Sequence, residues 1–178
     1  MAIDLQSPTD PVAMSWDEYT RIDARGEYID GWFHPMNPPA RRHQTIARRL
    51  ADVLETALTG ELYVVEGWGW KPSGSEFVPD VLVTPITDED LRFTGTPLLV
   101  VEVLSTNRSH DTALKFRRYA AEGLPNYWIV DPEGPVIDVF VLDGGIFRLE
   151  TRVGPGEEAT VTLAGFEIRL RPDGWLAR

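Results

Sequence analysis

Asp80, Glu102 and Lys115 stand where the surrounding sequence asks for something less polar. Asp80 follows Pro79 and opens the apolar run VLV, and Glu102 interrupts LLVVEVL, the most apolar stretch of the chain. Lys115 is one of two lysines among the 17 lysines and arginines. A carboxylate in a buried strand is unfavourable unless it is paired, hydrogen-bonded or bound to metal. Two carboxylates on neighbouring strands supply hard oxygen ligands for Mg²⁺, which keeps several waters and accepts phosphate oxygens. A cation so held polarises a phosphodiester and lowers the pKa of an attacking water. An ammonium nearby stabilises developing negative charge or orients that water. Each residue alone also has an ordinary explanation. Pro-Asp is a common strand start, a strand with one solvated face turns a glutamate outward, and a lysine on an amphipathic helix is commonly solvated. Only their combination points to chemistry.

The elements that must position these residues can be read from periodicity. Ser15, followed three residues later by Glu18, has the form of a capping box and predicts a short helix ending near Gly26. Residues 27–33 read as a strand or hairpin arm with a bend at Gly31. Apolar residues Ile46, Leu50, Val53, Leu54, Ala57 and Leu58 recur at helical spacing and predict a helix over 41–58. Strands follow at 62–66, 78–83 and 98–104, separated by the loop GWGWKPSGS and an acidic connector over 85–97. A second helix covers 111–123, with Asp111 near its start, where a carboxylate suits the helix dipole. Beyond it lie a strand at 126–130 and a hairpin over 136–151, turned at Asp143-Gly144-Gly145. Short strands at 159–163 and 166–170 complete the order. The pattern is that of an α/β or α+β domain built on a mixed sheet.

Composition narrows the function classes. The 178 residues suit one domain of ordinary size, at a prior of ~150 residues per domain. We expect 1–13 to be a flexible leader and 14–178 a single domain. Seventeen basic against 28 acidic residues leave a net charge of −11, which excludes holding nucleic acid by a global positive field. A local basic groove, or a metal bridging carboxylates to phosphate, stays open. Without cysteine there is no disulfide, thiolate zinc site or cysteine nucleophile. The start MAIDLQSPTD lacks the basic and apolar regions of a signal peptide. Apolar runs fall far short of the ~20 residues that span a bilayer. The expectation is a cytoplasmic protein without a membrane segment.

FVPDVLV (77–83), PLLVVEVLS (97–105) and a lysine-bearing helix running into YAAEGLPNYWIVDP (119–132) together resemble the Uma-two family. These are bacterial restriction-endonuclease domains within the PD-(D/E)XK nuclease superfamily. GEYIDGWF (26–33) and RRHQTIARRL (41–50) also match its pattern. The resemblance implies a restriction-endonuclease-like fold, a mixed central sheet flanked by helices with a C-terminal β-hairpin extension. It implies hydrolysis of DNA phosphodiester bonds, with Asp80 and Glu102 binding Mg²⁺ or Mn²⁺. Leu104 stands where the superfamily places its lysine, and Lys115 on the next helix takes that role. Glu27 matches an acidic position that completes the metal shell or assists catalysis, and His43 one that contacts phosphate. A homodimer is implied as well, since nucleases that cut both strands often pair.

Several positions keep two readings. Arg41 and Arg42, with Arg48 and Arg49, form either a basic face for a phosphate backbone or a solvated helix face. Trp68 and Trp70 either frame the site or pack an irregular loop, and Trp128 reads as core. The competing function is a nuclease-fold module without activity, serving assembly or nucleic-acid binding, favoured by Leu104 and by the acidic charge.

Overall fold

The computed structural model describes residues 10–60, 62–105 and 109–176. In chain order the elements are β1 (Val12–Ala13), α1 (Trp16–Tyr19), β2 (Gly26–Ile29), β3 (Trp32–Pro35), α2 (Arg41–Ala57), β4 (Leu62–Glu66), β5 (Gly69–Trp70), β6 (Val81–Pro85) and β7 (Arg92–Phe93). They continue with β8 (Leu99–Val103), α3 (Ser109–Ala121), β9 (Asn126–Asp131), β10 (Val136–Asp143), β11 (Ile146–Val153), β12 (Ala159–Leu163), β13 (Phe166–Leu170) and α4 (Asp173–Leu176). The fold is a mixed α+β arrangement around a six-stranded sheet of order β11-β10-β9-β8-β6-β4. Within it β8 and β9 are parallel and the other pairs antiparallel. The parallel pair needs a crossover, and α3 supplies it.

Strands β6 and β8 read as continuous apolar runs because both faces of the sheet are covered. On one face the α2 stripe Ile46, Ala47, Leu50 and Leu54 packs on Val81, Val83, Leu99, Val101 and Val103. On the other, Tyr119 and Leu124 pack with Leu82, Val100, Tyr127 and Ile129, and Trp70 and Phe77 join them. Strand alternation therefore turns Glu102 toward α3, since its neighbours Val101 and Val103 belong to the α2 face.

The expected elements are present, with differences that have local causes. The Ser15–Glu18 capping box forms, but α1 ends at Tyr19 rather than near Gly26. The chain leaves the helix to pack Ile22 and Ala24 beside Tyr19, Tyr28 and Phe33 in a small third cluster. Val12 and Ala13, expected within a flexible leader, pair with Phe33 and Trp32 of β3. Residues 1–9 of that leader lie outside the described residues. Strand β6 starts three residues later than expected. Pro79 has no N–H to give a ladder, and the Val78 N–H donates to Glu27 Oε1 at 2.8 Å. Loop and connector meet in a short parallel pair, β5 with β7, that buries Trp70 and Phe93.

The C-terminal hairpin β12–β13 places Val161, Leu163, Ile168 and Leu170 in the α2-side core, with Trp175 of α4 beside them. Among the described residues no helix is long and apolar enough to cross a membrane.

Candidate active site

The β6–β8 register brings the two strand carboxylates to one place. Val81 pairs with Val101, so carrying the antiparallel register one residue further sets Asp80 across from Glu102. Residues opposed in this way have Cβ atoms ~4.5–5.5 Å apart. The contact is made through backbone as well, because the Val103 N–H donates to Asp80 Oδ2 at 2.7 Å.

From α3, Lys115 and Tyr119 lie one turn apart on the same face and reach the same oxygen. Lys115 Nζ is 3.0 Å from Glu102 Oε1, and the Tyr119 hydroxyl donates to that oxygen at 2.8 Å. Lys115 Nζ is also 2.8 Å from Glu27 Oε1. The side chains of Lys115, Glu27 and Glu102 are 3%, 2% and 11% exposed.

Glu27 is delivered by the β2–β3 hairpin. Asp30 and Gly31, with φ of 52° and 85°, make the two-residue turn that pairs Ile29 with Trp32 and Glu27 with His34. Gly26 allows the strands to close, since a Cβ there would lie 2.2 Å from the Phe33 ring and 2.5 Å from the His34 carbonyl.

From the opposite face of the sheet, His43 in the first turn of α2 points Nε2 at Asp80 Oδ2, 3.1 Å away. Its Nδ1 is buried and without a hydrogen bond among the described residues. Two helices on opposite faces thus converge on one end of β6 and β8.

The electrostatics follow from crowding carboxylates with little compensation. Burial pushes the Glu102 carboxyl up to about 7, against the pull of Lys115, and the charges of Asp80 and Glu27 add to the rise. Burial works against the His43 imidazolium, yet the hydrogen bond and charge of Asp80 outweigh it and raise its pKa. The Tyr119 hydroxyl is raised well above its ordinary value by burial, with Glu102 and Glu27 adding. A cavity of about 20 Å³ is lined by Glu102, Val103, Leu104, Ser105, Thr112, Lys115 and Tyr127. That is room for one water, which needs ~10–15 Å³.

This donor set fits a small divalent cation. Asp80 takes Val103 and His43 on Oδ2, and Glu102 takes Lys115 and Tyr119 on Oε1. Among the described residues the second oxygen of each carboxylate has no protein donor. No group of three or more His, Asp or Glu side chains among the described residues makes an all-protein cage. Mg²⁺ tolerates that, being commonly held by one or two carboxylates with water completing its octahedron.

Asp80, Glu102, Lys115, Glu27 and His43 therefore come together, while other sequence candidates do not. Glu27 is engaged by Lys115 and the Val78 N–H, which makes it an anchor for the ammonium. The His43 Nε2 is directed at Asp80. Arg41 and Arg42 are exposed at the start of α2, with no ion pair among the described residues. Arg49 donates to the Gly174 and Trp175 carbonyls, holding α4, and Arg48 pairs loosely with Asp52 at 3.8 Å. Of the four arginines, Arg49 is thus drawn to α4 while Arg41, Arg42 and Arg48 stay exposed. Helix α3 begins at Ser109, two residues before Asp111. Leu104 packs against the α3-side core. Trp70 and Trp128 are core, with Trp70 Nε1 donating to the Gly95 carbonyl. Tyr119 was not among the sequence candidates. Its signal is the four-residue spacing from Lys115, which puts both on one helix face.

The architecture is a mixed sheet covered by helices on both faces, with Asp80, Glu102 and Lys115 gathered at one end, and it is shared with a known fold. A solved structure described as "a putative nuclease belonging to DUF820", from Anabaena variabilis, matches it with a TM-score of 0.74. The two share 19% identity over 92% of this chain and 99% of that one, a likeness of fold. The chain itself belongs to the Uma2 family, described as "Putative restriction endonuclease", which matches residues 16–171. No curated protein matches the chain.

Proposed function

We propose that this protein is a divalent-metal-dependent nuclease that hydrolyses phosphodiester bonds of DNA. The observation carrying this reading is the Lys115 ammonium, 3.0 Å from Glu102 and with it at the wall of a water-sized cavity. An amine delivered from α3 to the strand glutamate answers the absence of a lysine at Leu104. It favours an enzyme over an inactive module.

Asp80 and Glu102 hold Mg²⁺ or Mn²⁺ in this reading. When bound, the cation polarises the phosphodiester and lowers the pKa of the attacking water. Lys115 stabilises negative charge building on phosphate and orients the water in the cavity. Glu27 holds the ammonium in place, and His43 keeps the Asp80 carboxylate turned to the site. Among the described residues three carboxylates face one ammonium and one histidine, a surplus of negative charge that a divalent cation offsets.

Arg41 and Arg42 contact the phosphate backbone. They lie in the first turn of a 17-residue helix whose N-cap, Ala40, makes no side-chain cap. Basic residues there oppose the helix dipole, so helix stability does not favour them, whereas a bound anion does. A cut through both strands calls for two such centres, hence a homodimer.

The test is cleavage of supercoiled plasmid and of single-stranded DNA at low salt with Mg²⁺ and then Mn²⁺. Wild type is run beside Asp80→Asn, Glu102→Gln and Lys115→Ala. Cleavage by wild type, lost in both carboxylate variants, is expected. Equal cleavage by all four proteins, or neither cleavage nor Mn²⁺ binding by wild type, overturns the reading.

A further inference from the structure

Glu102 carries two hydrogen-bond donors on one oxygen and, among the described residues, none on the other. The terminal torsion of a glutamate is soft and broad, so this lopsided arrangement has a consequence. It sets which oxygen is committed to the protein and which is left over.

The two donors differ in stiffness. The Lys115 ammonium sits on a four-carbon stem and is shared with Glu27. The Tyr119 hydroxyl is carried by a fully buried ring clamped by three others. Trp70 lies 5.3 Å away, Phe77 5.0 Å and Tyr127 5.1 Å between ring centroids, the last two edge-on. Edge-to-face packing of this kind fixes orientation as well as position. Hydrophobic burial alone does not call for the hydroxyl, because a phenylalanine fills the same space.

We propose that Tyr119 is a positioning residue for Glu102, committing Oε1 to the protein so that Oε2 is left to bind the divalent cation. The proposal rests on the metal-dependent reading above and adds a residue to it. Tyr119 does not touch the reacting atoms. It acts through Glu102, as outer-shell hydrogen bonds do when they orient a ligand, and losing such a bond typically lowers metal affinity ~10–100-fold.

The experiment is Mn²⁺ titration by isothermal calorimetry, on the full chain without DNA, for wild type, Tyr119→Phe and Tyr28→Phe. Tyr28 supplies the control, a buried hydroxyl donated to the Met14 carbonyl in a different cluster. The expected result is Mn²⁺ binding at least ~10-fold weaker in Tyr119→Phe, with near-ultraviolet circular dichroism unchanged and Tyr28→Phe binding as wild type. Cleavage by Tyr119→Phe then recovers at saturating Mn²⁺, a recovery that a merely misfolded protein does not give. Wild-type affinity in Tyr119→Phe overturns this proposal alone, whereas no Mn²⁺ binding by wild type overturns it together with the metal reading. If Tyr119→Phe fails to fold, a crystal structure of wild type with Mn²⁺ decides. The cation on Oε2 with the Tyr119 bond to Oε1 intact supports the assignment, and the cation on Oε1 overturns it.

Discussion

Lys115 Nζ and Glu27 Oε1 meet at 2.8 Å with almost no solvent around either side chain. The contact joins the N-terminal hairpin to α3, and through Glu102 it joins both to the central sheet. Removing one member of a buried pair leaves an uncompensated charge and typically destabilises by ~3–5 kcal/mol. Lys115→Met is expected to lose about that much in urea unfolding, and Glu27→Gln added to it should restore part. An unchanged midpoint for Lys115→Met would mean that the pair holds nothing together.

Metal should stabilise the fold through the two strand carboxylates. A ligand that binds only the folded state adds ~2.7 kcal/mol at 100 times its Kd. Mn²⁺ at that level is expected to raise the unfolding midpoint of wild type and leave Glu102→Gln and Asp80→Asn unmoved, with EDTA reversing the shift. A similar shift in Glu102→Gln would place the cation elsewhere.

Stability of the metal-free protein should fall as pH rises through neutrality. Glu102, raised from 4.5 to about 7, binds its proton more tightly folded than unfolded. Its contribution is complete below about 4.5 and lost as pH climbs through about 7. His43, also raised, contributes below its ordinary 6.5 and loses that as pH passes its higher folded value. Both act in one direction. Unfolding free energies measured from pH 5 to 8 should decline, less steeply in Glu102→Gln. A wild-type curve that climbs over this range is incompatible with the assignment.

Gly26→Ala should damage the site from outside it. The added Cβ meets the Phe33 ring at 2.2 Å and the His34 carbonyl at 2.5 Å, so β2 and β3 must part and Glu27 moves with them. Overpacking of this kind costs ~1–3 kcal/mol. Cleavage should fall along with thermal stability, and a variant as stable and active as wild type would show that the hairpin yields freely.

Arg41 and Arg42 are exposed, and truncating them should leave the fold alone. With alanine at both positions, DNA affinity is expected to weaken, and the slope of log K against log salt should drop by ~1 per arginine lost. A slope equal to that of wild type would remove them from the DNA-contacting surface.

The sequence by itself determined the elements whose signals are local. The α2 stripe, the alternation of the strands, the Ser15–Glu18 capping box and the Gly144–Gly145 hairpin all rest on neighbours within a few residues. It also singled out Asp80, Glu102 and Lys115, because a charge in an apolar run, or a lysine among arginines, stands out against its own surroundings. It misjudged α1 and the start of β6, where the deciding partners are far along the chain. Glu27 takes the Val78 N–H, and Tyr28 and Phe33 draw Ile22 and Ala24 out of the helix.

Only the tertiary structure decided what those residues do to one another. Pairing β6 with β8 in one register sets Asp80 against Glu102, while a slip of one residue would turn either carboxylate to the other face. Lys115, carried by a helix one crossover away, reaches Glu102 across space. Arg49, alike in type to Arg41 and Arg42, is committed to the carbonyls of α4. Tyr119, which reads as one more apolar side chain on α3, becomes a donor to the site because packing against Phe77, Trp70 and Tyr127 aims its hydroxyl at Glu102. Periodicity reports which side of an element faces inward. The partner met there depends on contacts between distant segments, and those form only when the sheet closes.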